Sequence, residues 1–175
     1  MGAIVIAMGR NRDTLARLNS TFGSTGRLTT VPMTGTVEGD TPALRVASLD
    51  GFSALLDISP PAAAGNTYLP AALSLLKHGG RVALMGGVSG AVSLPYGIIV
   101  HNDLNICGKW MYSQEQAKRC IRMAETGLLA LGERGGVVTR GEYGLEEIEA
   151  AVERAGAGSG VGAQVVVEPL KGMRK

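Results

Sequence analysis

The residues with the clearest chemical promise follow the first apolar run of the chain. Gly9-Arg10-Asn11-Arg12 places two guanidinium groups around an asparagine directly after Ile4 to Met8. Dinucleotide folds that bind NAD place a carboxylate at the end of the second strand, where it accepts from the ribose 2′-hydroxyl. An arginine there accommodates a 2′-phosphate instead. The acid is missing here, and a fork of N–H donors suits a phosphate dianion. This pattern favours NADP over NAD; the alternative reading is a solvated loop with ordinary surface charge. Glycines follow other apolar runs too, at Gly86-Gly87 and Gly108. Glycine at a strand end lets a ligand approach the backbone, although turns need glycine as well.

Metal and nucleophile chemistry find little support. Cys107 and Cys120 are 13 residues apart, and the histidines are His78 and His101. A structural zinc site needs four close ligands and a catalytic one three, so no metal residues are assigned. The two cysteines are expected to be packed thiols. His78 is expected at a helix C-terminus, where a cation is favoured, and His101 in a loop or interface. No catalytic residue is assigned.

The elements that would position these groups are short aliphatic strands alternating with helices. Strands are expected at Ile4–Met8, at Leu28–Met33 on an edge because of Pro32, at Phe52–Ile58, Arg81–Met85, Leu104–Gly108 and Gln164–Glu168. A helix from an Asp13 cap to Leu18 follows the first strand. A second runs from Asn66 or Thr67, with Leu69, Leu73 and Leu76 on one face, to a left-handed cap at Gly79-Gly80. Residues 34–52 read as loop with one helical turn near Ala43–Ala47. Ser113 to Gln116 has the form of a capping box. The helix after it is expected to bury Ala117, Cys120, Ile121, Ala124 and Leu128 and to stop near Gly127. A last helix spans Gly144–Ala155, with Leu145, Ile148, Val152 and Ala155 on one face, and Gly156–Gly162 reads as a flexible linker. Such alternation means crossover units and a doubly wound parallel α/β sheet.

Composition agrees with that class. The 175 residues carry 17 basic and 15 acidic side chains, for a formal charge of +2. That balance gives no support for a nucleic-acid partner. The 26 glycines are about twice the usual ~7%. With 45% hydrophobic residues and one Trp, four Tyr and two Phe, the core must be aliphatic. No apolar run reaches the ~18–20 residues of a membrane span. Two cysteines without a disulfide framework point to a cytoplasmic location.

Taken in order, several segments resemble the nucleotide-binding part of the medium-chain alcohol dehydrogenase/reductase superfamily, in its zinc-type alcohol dehydrogenase-like branch. They are Val5-Ile6-Ala7-Met8-Gly9-Arg10, Leu56-Asp57-Ile58-Ser59-Pro60, Gly79 to Gly87, Cys107-Gly108-Lys109-Trp110-Met111, and Val165-Val166-Val167-Glu168-Pro169. The resemblance implies that Arg10 and Arg12 face the adenosine 2′-phosphate of NADP, with Gly9 and Asn11 also among the cofactor-binding residues. It implies that Ile58 and Ser59 lie beside the adenine and its ribose. Met85, Gly86 and Gly87 would approach the nicotinamide riboside, and Lys109, Trp110 and Met111 the nicotinamide amide. It also implies a homodimer through Val92–Lys109, although Ile98-Ile99-Val100 would equally fit a monomer core.

Against that family, the chain starts late. The G-x-G-x-x-G turn lies about 20 residues before the ribose-contacting strand end, and only eight residues precede Gly9. The resemblance therefore implies a Rossmann-like domain truncated before its first strand and glycine-rich turn. Residues 1–143 would form this partial NAD(P)-binding domain. Residues 144–175 would be a helix and strand returning toward a catalytic domain that is absent, together with its zinc. The expected function is the C-terminal cofactor-binding portion of an NADP(H)-dependent alcohol dehydrogenase or reductase, not competent alone, with NADP binding weak or lost. A truncated product, an incomplete gene model and a split enzyme with a separate catalytic-domain chain all fit. The alternative is a non-catalytic, dimerising remnant.

Overall fold

The computed structural model describes residues 2–63, 65, 67–158 and 162–170. They form two compact units, Gly2–Ser113 and the residues from Gln114 on. The larger unit begins with β1 (Val5–Gly9), α1 (Arg12–Phe22), β2 (Leu28–Pro32), α2 (Val37–Ala47) and β3 (Phe52–Asp57). It continues through α3 (Tyr68–Leu73), β4 (Leu76–Leu84), α4 (Tyr96–His101) and β5 (Asn105–Gly108). All pairings are parallel: β1 with β2 in one sheet, and β3-β4-β5 in another. This is the expected α/β architecture.

The two sheets share one core. Val31 of β2, Leu44 of α2 and Ala71, Ala72 and Leu75 at α3 form a buried cluster. Ile6 and Met8 of β1 and Phe52 and Leu55 of β3 pack against it. A second cluster, Leu69, Leu73, Leu76 and Val82, lies beneath β4 and β5. The core is aliphatic, as the composition requires.

A polar clamp fixes the ends of β2 and β3. Asp40, in the first turn of α2, is fully buried. Its carboxylate accepts from the Thr34 amide at 2.6 Å and the Thr34 hydroxyl at 2.8 Å, just past β2. It also accepts from the Thr67 hydroxyl at 2.6 Å, at the start of α3 beyond β3. The segments that follow β2 and β3 thus converge on one side chain. Burial pushes the Asp40 carboxyl up, but the hydrogen bonds from Thr67, Thr34 and the Gly35 amide outweigh it and hold it below the usual carboxylate range.

Several expectations are corrected. Residues 34–52 hold the three-turn helix α2. Its signal was Thr36, whose hydroxyl accepts from the Gly39 amide at 3.1 Å, and Pro42 masked it. The helix expected up to Gly79-Gly80 is only α3, and the sheet resumes at Leu76. Gly79 does take the left-handed conformation, at φ +71°, but inside an irregular stretch of β4, where its amide donates to the Asn102 carbonyl. His78 therefore sits in a strand, and His101 ends α4. Of the proposed cap residues, Asn66 lies outside the described residues. Thr67 is the N-cap but gives its hydroxyl to Asp40.

The second unit contains α5 (Gln114–Glu125), β6 (Val138–Tyr143), α6 (Ile148–Gly158) and β7 (Ala163–Val167), with β6 and β7 paired in parallel. The polar run of β6 (Val-Thr-Arg-Gly-Glu-Tyr) hid it from periodicity. Cys120 and Ile121 of α5, and Leu128 just beyond it, are exposed rather than buried. On α6 the buried residue is Ala151, while Ile148 and Val152 are exposed, as is Leu145 just before it. Gly156 to Gly158 continue α6, and 159–161 lie outside the described residues. Both cysteines are free and exposed, so neither is a packed thiol.

Candidate functional site

Parallel sheets bring strand ends together, and ligands bind in the crevice outside those carboxyl ends. Register aligns Asp57 of β3 with Leu84 of β4, and Leu84 with Gly108 of β5. The residues just beyond are therefore neighbours: Ile58-Ser59, Met85-Gly86-Gly87 and Lys109. The amide of Met85 donates to the Asp57 carbonyl and that of Gly87 to the Ser59 carbonyl, each at 2.8 Å. The Lys109 amide extends the ladder to the Leu84 carbonyl at 2.9 Å.

A partly buried side-chain network supports this edge. Asp57 accepts from the Ser59 amide at 3.0 Å and from the Tyr68 hydroxyl at 2.8 Å. Ser59 donates its hydroxyl to Tyr68 at 2.7 Å. The chain Ser59–Tyr68–Asp57 ties the turn after β3 to the first turn of α3. Burial raises the Asp57 carboxyl, but the hydrogen bonds from Ser59 and Tyr68 prevail and leave it lowered. Tyr68 is pushed above the ordinary phenol value, first by burial and then by the adjacent Asp57 carboxylate. Sequence reading missed Tyr68, because a tyrosine opening a helix carries no signal of its own.

The glycines divide into two kinds. A Cβ on Gly86 would fall 2.7 Å from the Ser59 carbonyl oxygen and 3.0 Å from an Asp57 carboxylate oxygen. Gly86 is thus required by the protein's own packing. Around Gly9 and Gly108 the space is open: a Cβ on Gly9 would meet only Leu15 at 3.8 Å, and one on Gly108 nothing within 4 Å. These two strand ends leave room for a ligand.

Gly9 to Arg12 sit at the end of β1 in the other sheet of the same unit. Arg10, Asn11 and Arg12 are exposed. Asn11, rather than Asp13, caps α1, its side-chain oxygen accepting from the Thr14 amide at 3.0 Å. Asn11→Ala is therefore expected to cost about 1 kcal/mol of stability, measured by urea unfolding, without changing any preference between NADPH and NADH. Ile58, Met85, Trp110 and Met111 expose their side chains, Trp110 at 83%. The stretch Val92–Lys109 is not one strand: Ile98-Ile99-Val100 lie in α4 and only Asn105–Gly108 form β5. Among the described residues no group of three or more His, Cys, Asp or Glu side chains could hold a metal ion. No helix among them is long and apolar enough to cross a membrane.

No family model and no curated protein matches the sequence. Solved structures do match. The crystal structure of AibC has a TM-score of 0.70 at 20% identity, over 95% of this chain and 43% of that one. An NAD-dependent alcohol dehydrogenase has a TM-score of 0.64 at 23% identity, over 94% and 44%. CurA in complex with NADPH from Vibrio vulnificus has a TM-score of 0.60 at 14% identity, over 95% and 50%. The chain thus spans half or less of the length of the structures it matches. Strand order, helix placement and these likenesses agree that it has the fold of one part of alcohol dehydrogenase-type proteins.

Proposed function

We propose that the chain is the cofactor-binding portion of an NADP(H)-dependent alcohol dehydrogenase or reductase. The observation that carries this reading is the shared edge of the parallel sheet. There Ile58-Ser59, Met85-Gly86-Gly87 and Lys109 are set side by side, with open space at Gly9 and Gly108. The NADPH complex of a protein with this fold supports the cofactor class.

In this reading Arg10 and Arg12 bind the 2′-phosphate, with Asn11 between them fixing the helix start. Ile58 covers the adenine and Ser59 neighbours its ribose. Met85, Gly86 and Gly87 border the nicotinamide riboside, and Lys109, Trp110 and Met111 the amide. The bound cofactor supplies a hydride for exchange with an alcohol or carbonyl carbon. This chain's residues bind and orient.

Calorimetric titration with NADPH tests the site. Affinity is expected on the order of millimolar, and no heat at that concentration sinks the assignment. Arg10→Ala is expected to weaken NADPH about tenfold, or 1.4 kcal/mol, and to leave NADH unchanged. Equal loss for both refutes the 2′-phosphate role.

A second reading is a non-catalytic dimerising remnant. It is favoured by β5, which among the described residues pairs only with β4, and by the exposed Trp110, Met111 and Tyr112 beyond it. A homodimer in sedimentation with no NADPH heat selects this reading.

A further inference from the structure

The hydrogen-bond chain Ser59–Tyr68–Asp57 has a direction, and that direction fixes what Ser59 can offer a ligand. Burial alone would raise the Asp57 carboxyl, but the donors from Ser59 and Tyr68 hold it below the usual carboxylate range. Asp57 is therefore ionised near neutral pH, and an ionised carboxylate only accepts. A phenol has one proton. With the Tyr68 oxygen 2.8 Å from the carboxylate, that proton lies in the bond to Asp57. Tyr68 then meets the Ser59 hydroxyl, 2.7 Å away, as an acceptor. Two oxygens at that distance need a proton between them, and Ser59 is the one with a proton left to give. The other inward neighbour of the Ser59 hydroxyl is Asp57, again an acceptor. Toward either of them, the hydroxyl proton points into the protein.

The backbone of Ser59 is engaged as well. Its amide donates to the Asp57 carboxylate at 3.0 Å, and its carbonyl accepts from the Gly87 amide at 2.8 Å. What remains for a ligand is the side-chain oxygen, which keeps its lone pairs on a half-buried residue at the turn after β3. Toward a ligand, Ser59 is thus an acceptor and not a donor. A phosphate oxygen brings no proton to it and would also meet the negative charge of Asp57. A hydroxyl brings the proton that the site lacks. Arg10 and Arg12, just past β1, have the opposite character, because a guanidinium only donates. The strand ends of this unit therefore present a donor-only group and an acceptor-only group, which suit the phosphate and the hydroxyls of a phosphorylated sugar.

We infer that Ser59 Oγ accepts a hydrogen bond from a ribose hydroxyl of the bound nucleotide and is a specificity-determining contact for the sugar. This contact rests on the reading of the strand ends as the nucleotide site. Tyr68 and Asp57 touch no ligand and act through Ser59, by taking its proton inward.

Two measurements on the full 175-residue chain test it. Neutron diffraction from crystals of the deuterated protein needs no ligand and locates the hydroxyl deuterium atoms. The expected result is deuterium on Ser59 Oγ directed at Tyr68 or Asp57, and on Tyr68 Oη directed at Asp57. The second is an NMR titration with NADPH and with its analogues that carry fluorine in place of one ribose hydroxyl at a time. Fluorine is close to a hydroxyl in size and cannot donate. One analogue is expected to bind about fivefold more weakly than NADPH, the worth of one neutral hydrogen bond. In Ser59→Ala that difference is expected to vanish, because NADPH itself loses the contact. A Ser59 deuterium turned outward, fluorinated analogues that all bind as NADPH does, or a difference that survives in Ser59→Ala each overturn the inference without touching the nucleotide reading. Absence of NADPH binding to the wild-type chain overturns both.

Discussion

Asp40→Ala is expected to destabilise the protein by about 3 kcal/mol, more than any other single polar substitution. The carboxylate is fully buried and accepts hydrogen bonds from the Thr34 and Gly35 amides and the hydroxyls of Thr34 and Thr67. Bonds to a charged acceptor contribute about 1.5–3 kcal/mol each, and donors left unsatisfied cost about 1–3 kcal/mol. Alanine removes the acceptor and strands these donors. Asp40→Asn keeps an oxygen toward Thr34 and is expected to lose roughly half as much. Urea unfolding of the three proteins measures the difference.

The same residue fixes the acid response. The Asp40 and Asp57 carboxyls are both held below their ordinary value. A group depressed in the folded state binds protons more readily when unfolded. Its contribution is fully present above the unfolded value of about 3.9 and is lost as pH falls through the folded value. Wild-type stability should therefore drop steeply below about pH 4. Asp40→Ala should be flatter there, since one of the two groups is gone. An equal slope in both proteins contradicts the clamp.

The second large effect is Gly86→Ala. The added methyl meets backbone, the Ser59 oxygen at 2.7 Å and amide at 3.0 Å, and the Asp57 carboxylate at 3.0 Å. None of these is the free end of a flexible side chain. Overpacking of this kind costs about 1–3 kcal/mol, and here the upper part of that range is expected. Gly87→Ala is the control, because its nearest contact is Pro61 at 3.3 Å, and less than half the loss is expected. Thermal unfolding reads both. Gly86→Ala should also abolish NADPH heat, because it displaces the Ile58-Ser59 turn that the proposed site uses.

Much of the fold was legible because buried parallel strands write themselves as aliphatic runs. Val5–Met8, Leu55–Ile58 and Val82–Met85 could hardly be anything else once glycine or proline ended each. The failures have local causes. Pro42 disguised α2, although Thr36 capped it in plain view. Gly79-Gly80 looked like a helix end because left-handed glycine serves a strand irregularity as well as a cap. The polar alternation of β6 lacked the apolar content that marks a strand. At the site, the sequence placed Ser59, Gly86 and Gly87 just past the ends of expected strands, and the family resemblance gave them their roles. It did not reveal that Gly86 serves the protein's own backbone or that Tyr68 links Ser59 to Asp57. Such roles depend on what another segment brings alongside, and no local pattern encodes that.

Among the described residues, all four strand pairings, β1–β2, β3–β4, β4–β5 and β6–β7, join strands that are consecutive in the chain. Each can form from one continuous stretch, so loop closure costs little at each step. The Thr67–Asp40 bond instead spans 27 residues and joins the products of two such steps. Folding on this pattern is the assembly of small crossover modules, with the docking of α3 on α2 joining the β1–β2 and β3–β4–β5 modules of the first unit. Substitutions in the clamp should thus act mainly on how fast the native state comes apart, and those within a single crossover on how fast it forms.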